Sequence, residues 1–166
     1  VGGGIQVTED AILIVHNSLI DGNEAHGRGG GIYMDGHVEI YDSTISNNIS
    51  HAEREDISRG GGIWQSHSDS NLILDRVTVS DNTAASYGGG IWIEQGDTWI
   101  QNSTFTGNRA GFATGHGNYF GNGGANGGAI RIQNGGQNGC YVWINNSTFA
   151  FNEAAGEGGG IIRNNS

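Results

Sequence analysis

Proline and lysine are both absent from the 166 residues, and cysteine and methionine each occur once, as Cys140 and Met34. Each absence excludes something. Glycine supplies 32 residues, but without proline and without a strict three-residue period the chain cannot be collagen-like. A lone cysteine closes no internal disulfide, so packing and hydrogen bonds must hold the fold together. Without lysine there is no Walker-type phosphate loop. No apolar run approaches the ~20 residues a membrane-spanning helix requires. The chain opens Val1-Gly2-Gly3-Gly4 without a signal peptide or an initiator methionine, and we expect a segment of a longer polypeptide.

Positive charge is also scarce, with seven arginines against 17 acids and a formal net charge of −10. A nucleic-acid surface needs a basic stripe, so that class is set aside. The acidic excess suits cations or a saline medium, and most simply describes a solvated exterior. Disorder is excluded by what is present: 35% of residues are hydrophobic and the four tryptophans fall at regular places.

The regularity comes from an internal repeat. Gly-Gly-Gly-Ile or Gly-Gly-Ala-Ile ends at Ile5, Ile32, Ile63, Ile91, Ile130 and Ile161, at intervals of 27, 31, 28, 39 and 31 residues. Between these strings lies a second one. Its clearest copies are Asn102-Ser103-Thr104-Phe105-Thr106-Gly107-Asn108 and Asn146-Ser147-Thr148-Phe149-Ala150-Phe151-Asn152. Looser copies end at Asn23, Asn48 and Asn82.

Each unit holds three short alternating stretches, a strand signal rather than a helical one. Ile32, Ile63, Ile91 and Ile130 face inward in the first. Val15, Ile40, Leu74, Ile100 and Ile144 do so in the second, and Ile20, Ile45, Val79, Phe105 and Phe149 in the third. Such a unit cannot bury its apolar face alone, but stacked units bury all of them. The pattern therefore predicts an all-β fold, a right-handed parallel β-helix with three short strands per coil and five to six coils. At ~4.8 Å per coil the rod would be roughly 25 to 30 Å long. The repeated asparagines Asn23, Asn48, Asn82, Asn108 and Asn152 are expected to stack as a structural ladder at one turn.

The paired motifs Gly-Gly-Ala-Ile (Gly127 to Ile130) and Phe-x-x-Asn (Phe105 to Asn108, Phe149 to Asn152) resemble the repeats of chlamydial polymorphic outer-membrane proteins and related bacterial surface proteins. The likeness spans nearly the whole chain, although most units here place Ile or Val where that motif has Phe. It implies a pectin-lyase-like right-handed β-helix acting as an extracellular passenger or stalk in adhesion.

Candidate contact residues follow from the outward positions. Tyr33, Trp64 and Trp92 share one register in three successive coils and are expected to present aromatic faces, as glycans require; packing beneath a loop is the plainer alternative. Trp99 and Trp143 share a register on the next strand. The segments His51 to Arg59 and Gly111 to Asn126 lengthen one corner, and the second carries Phe112, His116, Tyr119 and Phe120 among glycines and asparagines, a composition suited to a contact loop. An outward column of Thr44, Thr78, Thr104 and Thr148 raises ice binding, but the file beside it is irregular and threonine is simply a good strand residue.

Chemistry-bearing residues do not converge. Glu53, Glu55 and Asp56 sit with Arg54 in one loop, while Asp69, Glu94 and Asp97 lie in other turns, and no calcium-loop pattern is present. His26 and His51 each follow a ladder asparagine by three places, and a pair without a third ligand does not define a metal site. The whole chain, 1–166, thus reads as a single β-helix segment of a bacterial extracellular or cell-surface protein. It is expected to space or adhere rather than catalyse, with no cofactor, no metal and no nucleic acid. Its expected partner is a glycan or surface receptor, with end-to-end self-association as a further option. The alternative is a polysaccharide-binding or polysaccharide-degrading β-helix.

Overall fold

The structure, a computed structural model, describes residues 2–51, 58–112, 125–134 and 140–165. Every strand pairing among them is parallel and links one coil to the next. Sheet A stacks Ile5–Val7, Ile32–Met34, Ile63–Gln65, Ile91–Ile93, Ile130–Asn134 and Ile161–Asn165. Sheet B stacks Ile12–His16, His37–Tyr41, Asn71–Asp75, Asp97–Gln101 and Val142–Asn145. Sheet C stacks Leu19–Asp21, Thr44–Ser46, Thr78–Ser80, Thr104–Thr106 and Thr148–Ala150.

These are the three strands expected in each coil. A fourth follows the asparagine turn as sheet D, with strands of two or three residues: Glu24–His26, Ile49–His51, Thr83–Ala84, Arg109–Ala110 and Glu153–Ala154. The inward columns fall in register as the alternation predicts. Ile32, Ile63, Ile91 and Ile130 pair in succession and are wholly buried. Ile40, Leu74 and Ile100 from sheet B and Ile45, Val79 and Phe105 from sheet C close the same core. Phe105 and Phe149 stack with ring centroids 4.7 Å apart, one coil's rise.

The turns explain the glycine and asparagine content. In the Gly-Gly-Gly strings the middle glycine lies against the next coil: a Cβ at Gly61 would overlap the Gly89 carbonyl oxygen. The preceding Gly60 sits at φ 62°, where a side chain is strained. At the other corner the five asparagines form a continuous column. Nδ2 of Asn23, Asn48, Asn82 and Asn108 donates to Oδ1 of the asparagine one coil on, at 2.9, 2.9, 3.0 and 2.9 Å. Each acceptor oxygen also takes a backbone N–H from the previous coil, and Asn48, Asn82 and Asn108 are fully buried. Side-chain amides thus satisfy backbone groups that a bend would otherwise leave unpaired inside the protein.

Candidate functional site

The two aromatic columns read from the sequence meet different fates. Tyr33, Trp64 and Trp92 do point away from the core on sheet A, in register. They are not open to ligands, however: their exposures are 7%, 2% and 1%. Of the two readings, the aromatic platform is therefore set aside and the alternative, packing beneath a neighbouring corner, is the arrangement found: a second, covered layer. Its cover comes from the corner before each glycine string, where Arg28, Arg59 and Tyr87 are bridged in parallel. The Arg28 and Arg59 guanidinium carbons lie 4.7 and 5.0 Å from the Trp64 ring centre, and Arg59 lies 5.3 Å from Trp92. Arg131, the sheet A residue in line with Trp92, closes the stack at 4.4 Å from Tyr87 and 5.1 Å from Trp92.

This arrangement is a ladder of cations alternating with ring faces, a geometry that strengthens when water is excluded. Glu94 Oε2 accepts from Trp64 Nε1 at 3.1 Å and from Arg59 Nη1 at 3.4 Å. Arg59 Nε, Trp92 Nε1 and two Arg131 nitrogens are shielded without a hydrogen-bond acceptor among the described residues. The Arg59 and Arg131 guanidinium groups lie over ring faces instead. Burial pulls the Arg131 guanidinium below the usual arginine range. The side chains are committed to one another, and the layer braces the rod.

Sheet B presents the opposite case. Its central outward row runs Ile14, Glu39, Ile73, Trp99 and Trp143, in register across five coils. Ile14 is 55% exposed and Trp143 48%. Trp99 and Trp143 stack 5.0 Å apart at 3°, and Tyr141 leans on Trp143 at 5.6 Å. Beside this row stand His16 and Tyr41, stacked at 4.8 Å, followed by Asp75 and Gln101. The Tyr41 hydroxyl donates to Glu39 Oε2 at 2.8 Å, a bond that raises the phenol above its ordinary range.

Two shallow depressions open on this face. One, of about 330 Å³, is lined by Ile12, His37, Glu39, Asn71, Ile73 and Trp99. The other, of about 390 Å³, is lined by Tyr41, Ile73, Trp99 and Gln101. Sharing Ile73 and Trp99, they form one groove over four coils. The alternation in Asn71–Asp75 and Asp97–Gln101 signalled that Ile73 and Trp99 point outward, but the weight of this face against sheet A was not legible.

Several acids of the described residues, spread over different coils, are engaged in structural pairs. Arg76 spans Asp42 and Asp75, with Nη2 donating to Asp42 Oδ2 at 3.0 Å. The arginine holds the Asp42 carboxyl below the usual range; Asn102, with help from Arg76, does the same for Asp75. His26 and His51 approach with ring centroids 5.6 Å apart, and His51 Nε2 lies 3.4 Å from Glu24. Among the described residues no group of three His, Cys, Asp or Glu is placed to hold a metal ion. Phe112 lies under the Arg109 guanidinium at 4.0 Å. Tyr119, Phe120, His116 and the acidic stretch Glu53, Glu55 and Asp56 lie outside the described residues.

Residues 2–123 match the family described as the right-handed β-helix region, and the chain belongs to that family. No curated protein and no solved structure matches it.

Proposed function

We propose that this chain is a rigid rod segment of a bacterial extracellular or surface protein, and that it spaces or adheres through the outer face of sheet B. The observation that supports the reading is the outward row from Ile14 to Trp143, exposed at both ends and half-buried at Glu39, Ile73 and Trp99 between them, on a protein of net charge −10. Water-exposed indole and aliphatic surface has a hydration cost, and Ile73, Trp99 and Trp143 in succession make a patch of the kind that marks a contact site. The regular coils hold it rigid, since every residue of the row is fixed by pairing on both backbone edges or at a sheet end. The likeness to chlamydial-type surface repeats points the same way.

The test is retention. Beads carrying the chain should bind cell-surface preparations, and Trp99→Ala with Trp143→Ala should abolish binding while the β signal in circular dichroism persists. Retention that survives the double substitution would remove sheet B from the account. A polysaccharide-active β-helix is the second reading, favoured by the groove over Ile73 and Trp99. Turnover of pectin or alginate by the purified chain would promote it.

A further inference from the structure

Side chains in a solenoid row repeat every ~4.8 Å, the thickness of a stacked ring plus its contact. In the central row of sheet B, Trp143 occupies one face of Trp99, stacked at 5.0 Å and 3°. The opposite face of Trp99 looks toward Ile73, the residue paired with it one coil back. A branched aliphatic side chain is shorter than an indole, so a notch is left above Ile73, with the Trp99 ring as one wall. Both depressions meet there. Glu39 and Tyr41, hydrogen-bonded to each other, stand on the far side, with Asn71 and His37 on one flank and Gln101 on the other.

We infer that this notch binds one neutral hexopyranosyl residue of a glycan, its apolar C–H face against the free face of Trp99 and its hydroxyls met by Glu39, Asn71, Tyr41 and Gln101. The inference rests on sheet B being the contact surface and names the ligand class for it. The chemistry of the lining selects among candidates. Glu39 lies in the notch, Asp97 stands in one adjoining row, Asp75 in the other is buried and paired with Arg76, and among the described residues no arginine lines either depression. A uronate or sulfated sugar would meet like charge. A quaternary ammonium would be drawn by that charge, but it needs several ring faces, and His16 already covers one face of Tyr41. One free ring face surrounded by hydroxyl-binding groups is the arrangement that a pyranose fits.

The experiment is calorimetric titration of the chain with cellohexaose, laminarihexaose and maltohexaose, with hexagalacturonate and choline as charged controls. At least one neutral hexasaccharide should bind saturably. Ile73→Trp, which fills the notch and extends the indole stack, should weaken that binding about tenfold or more, as should Trp99→Ala. Thr104→Ala, on the outer face of sheet C, should leave it nearly unchanged. Circular dichroism and melting temperature confirm that Ile73→Trp is folded. Absence of saturable binding by all three neutral probes, indifference to Ile73→Trp, or preference for galacturonate or choline overturns the inference. If cell-surface retention still depends on sheet B in those cases, the contact surface stands and only the sugar assignment falls. If retention does not depend on sheet B, both fall.

Discussion

Asn82 donates its side-chain Nδ2–H to Oδ1 of Asn108 at 3.0 Å, and the same Nδ2 donates to the Ile45 carbonyl oxygen of the preceding coil at 2.9 Å. One side chain thus joins three successive coils at a fully buried corner. Asn82→Ala would take the side-chain donor from the Ile45 carbonyl and the side-chain acceptor from the Asn48 backbone N–H, and would leave Asn48 Nδ2 with only the Ile20 carbonyl and Asn108 Oδ1 with only the residue 82 backbone N–H. A loss of about 2–4 kcal/mol is expected in urea unfolding, more than for removal of an exposed hydrogen bond. An Asn82→Ala midpoint equal to wild type would deny the ladder a structural role.

Glycines at the turns divide into two kinds. Gly61→Ala would drive Cβ into the Gly89 carbonyl and the Thr83 backbone of the next coil, neither of which can move without breaking the stack. Gly22→Ala meets nothing within 4 Å and bears only the strain of φ 66°, about 1–2 kcal/mol. The first variant should fail to give soluble folded protein, and the second should fold with a modestly lowered melting temperature. Equal tolerance of both would contradict the coil spacing.

The covered and open tryptophans should differ in stability cost. Trp64→Ala leaves a cavity beneath Arg28 and Arg59 and strips Glu94 of a donor, for a loss of about 3–5 kcal/mol. Trp143→Ala removes a half-exposed ring and should cost about 1 kcal/mol or less. Chemical denaturation of the two variants separates bracing from contact; similar losses would refute the distinction.

Acid should destabilise the rod in a defined window. Asp21, Asp42 and Asp75 are all more acidic in the fold than the ordinary 3.8, through Ser46 and Asn47, through Arg76, and through Asn102 with Arg76 respectively. A lowered folded pKa gives stability that is present above the unfolded value and is lost as pH falls through the folded one. Urea midpoints should therefore decline on acidification below 3.8. Asp42→Asn with Asp75→Asn should flatten that decline. An unchanged acid profile in the double variant would remove these pairs from the account.

What the sequence revealed and what it concealed have physical causes. The core columns were legible because Ile32, Ile63, Ile91 and Ile130 each follow the same glycine string, and a period-two alternation fixes which side is buried. Sheet D was not, because Thr83–Ala84 and Arg109–Ala110 are too short to alternate. The aromatic column was placed correctly in register, while its exposure was left between an open platform and packing beneath a loop. Alternation tells which way Trp64 leaves the backbone; it does not tell that Arg28 and Arg59, from a neighbouring corner, fold over it. For the same reason the notch at Ile73 emerges only when the rows are laid side by side.

Hydroxyl-radical footprinting of the four tryptophans, with and without a cell-surface preparation that retains the chain, tests the contact surface most directly. Free in solution, Trp143 and Trp99 should oxidise readily, while Trp64 and Trp92, 2% and 1% exposed, should resist. On binding, Trp99, Trp143 and Tyr141 should become protected, and Trp64 and Trp92 should stay as they were. Unprotected Trp99 and Trp143 on a retained chain would contradict the account.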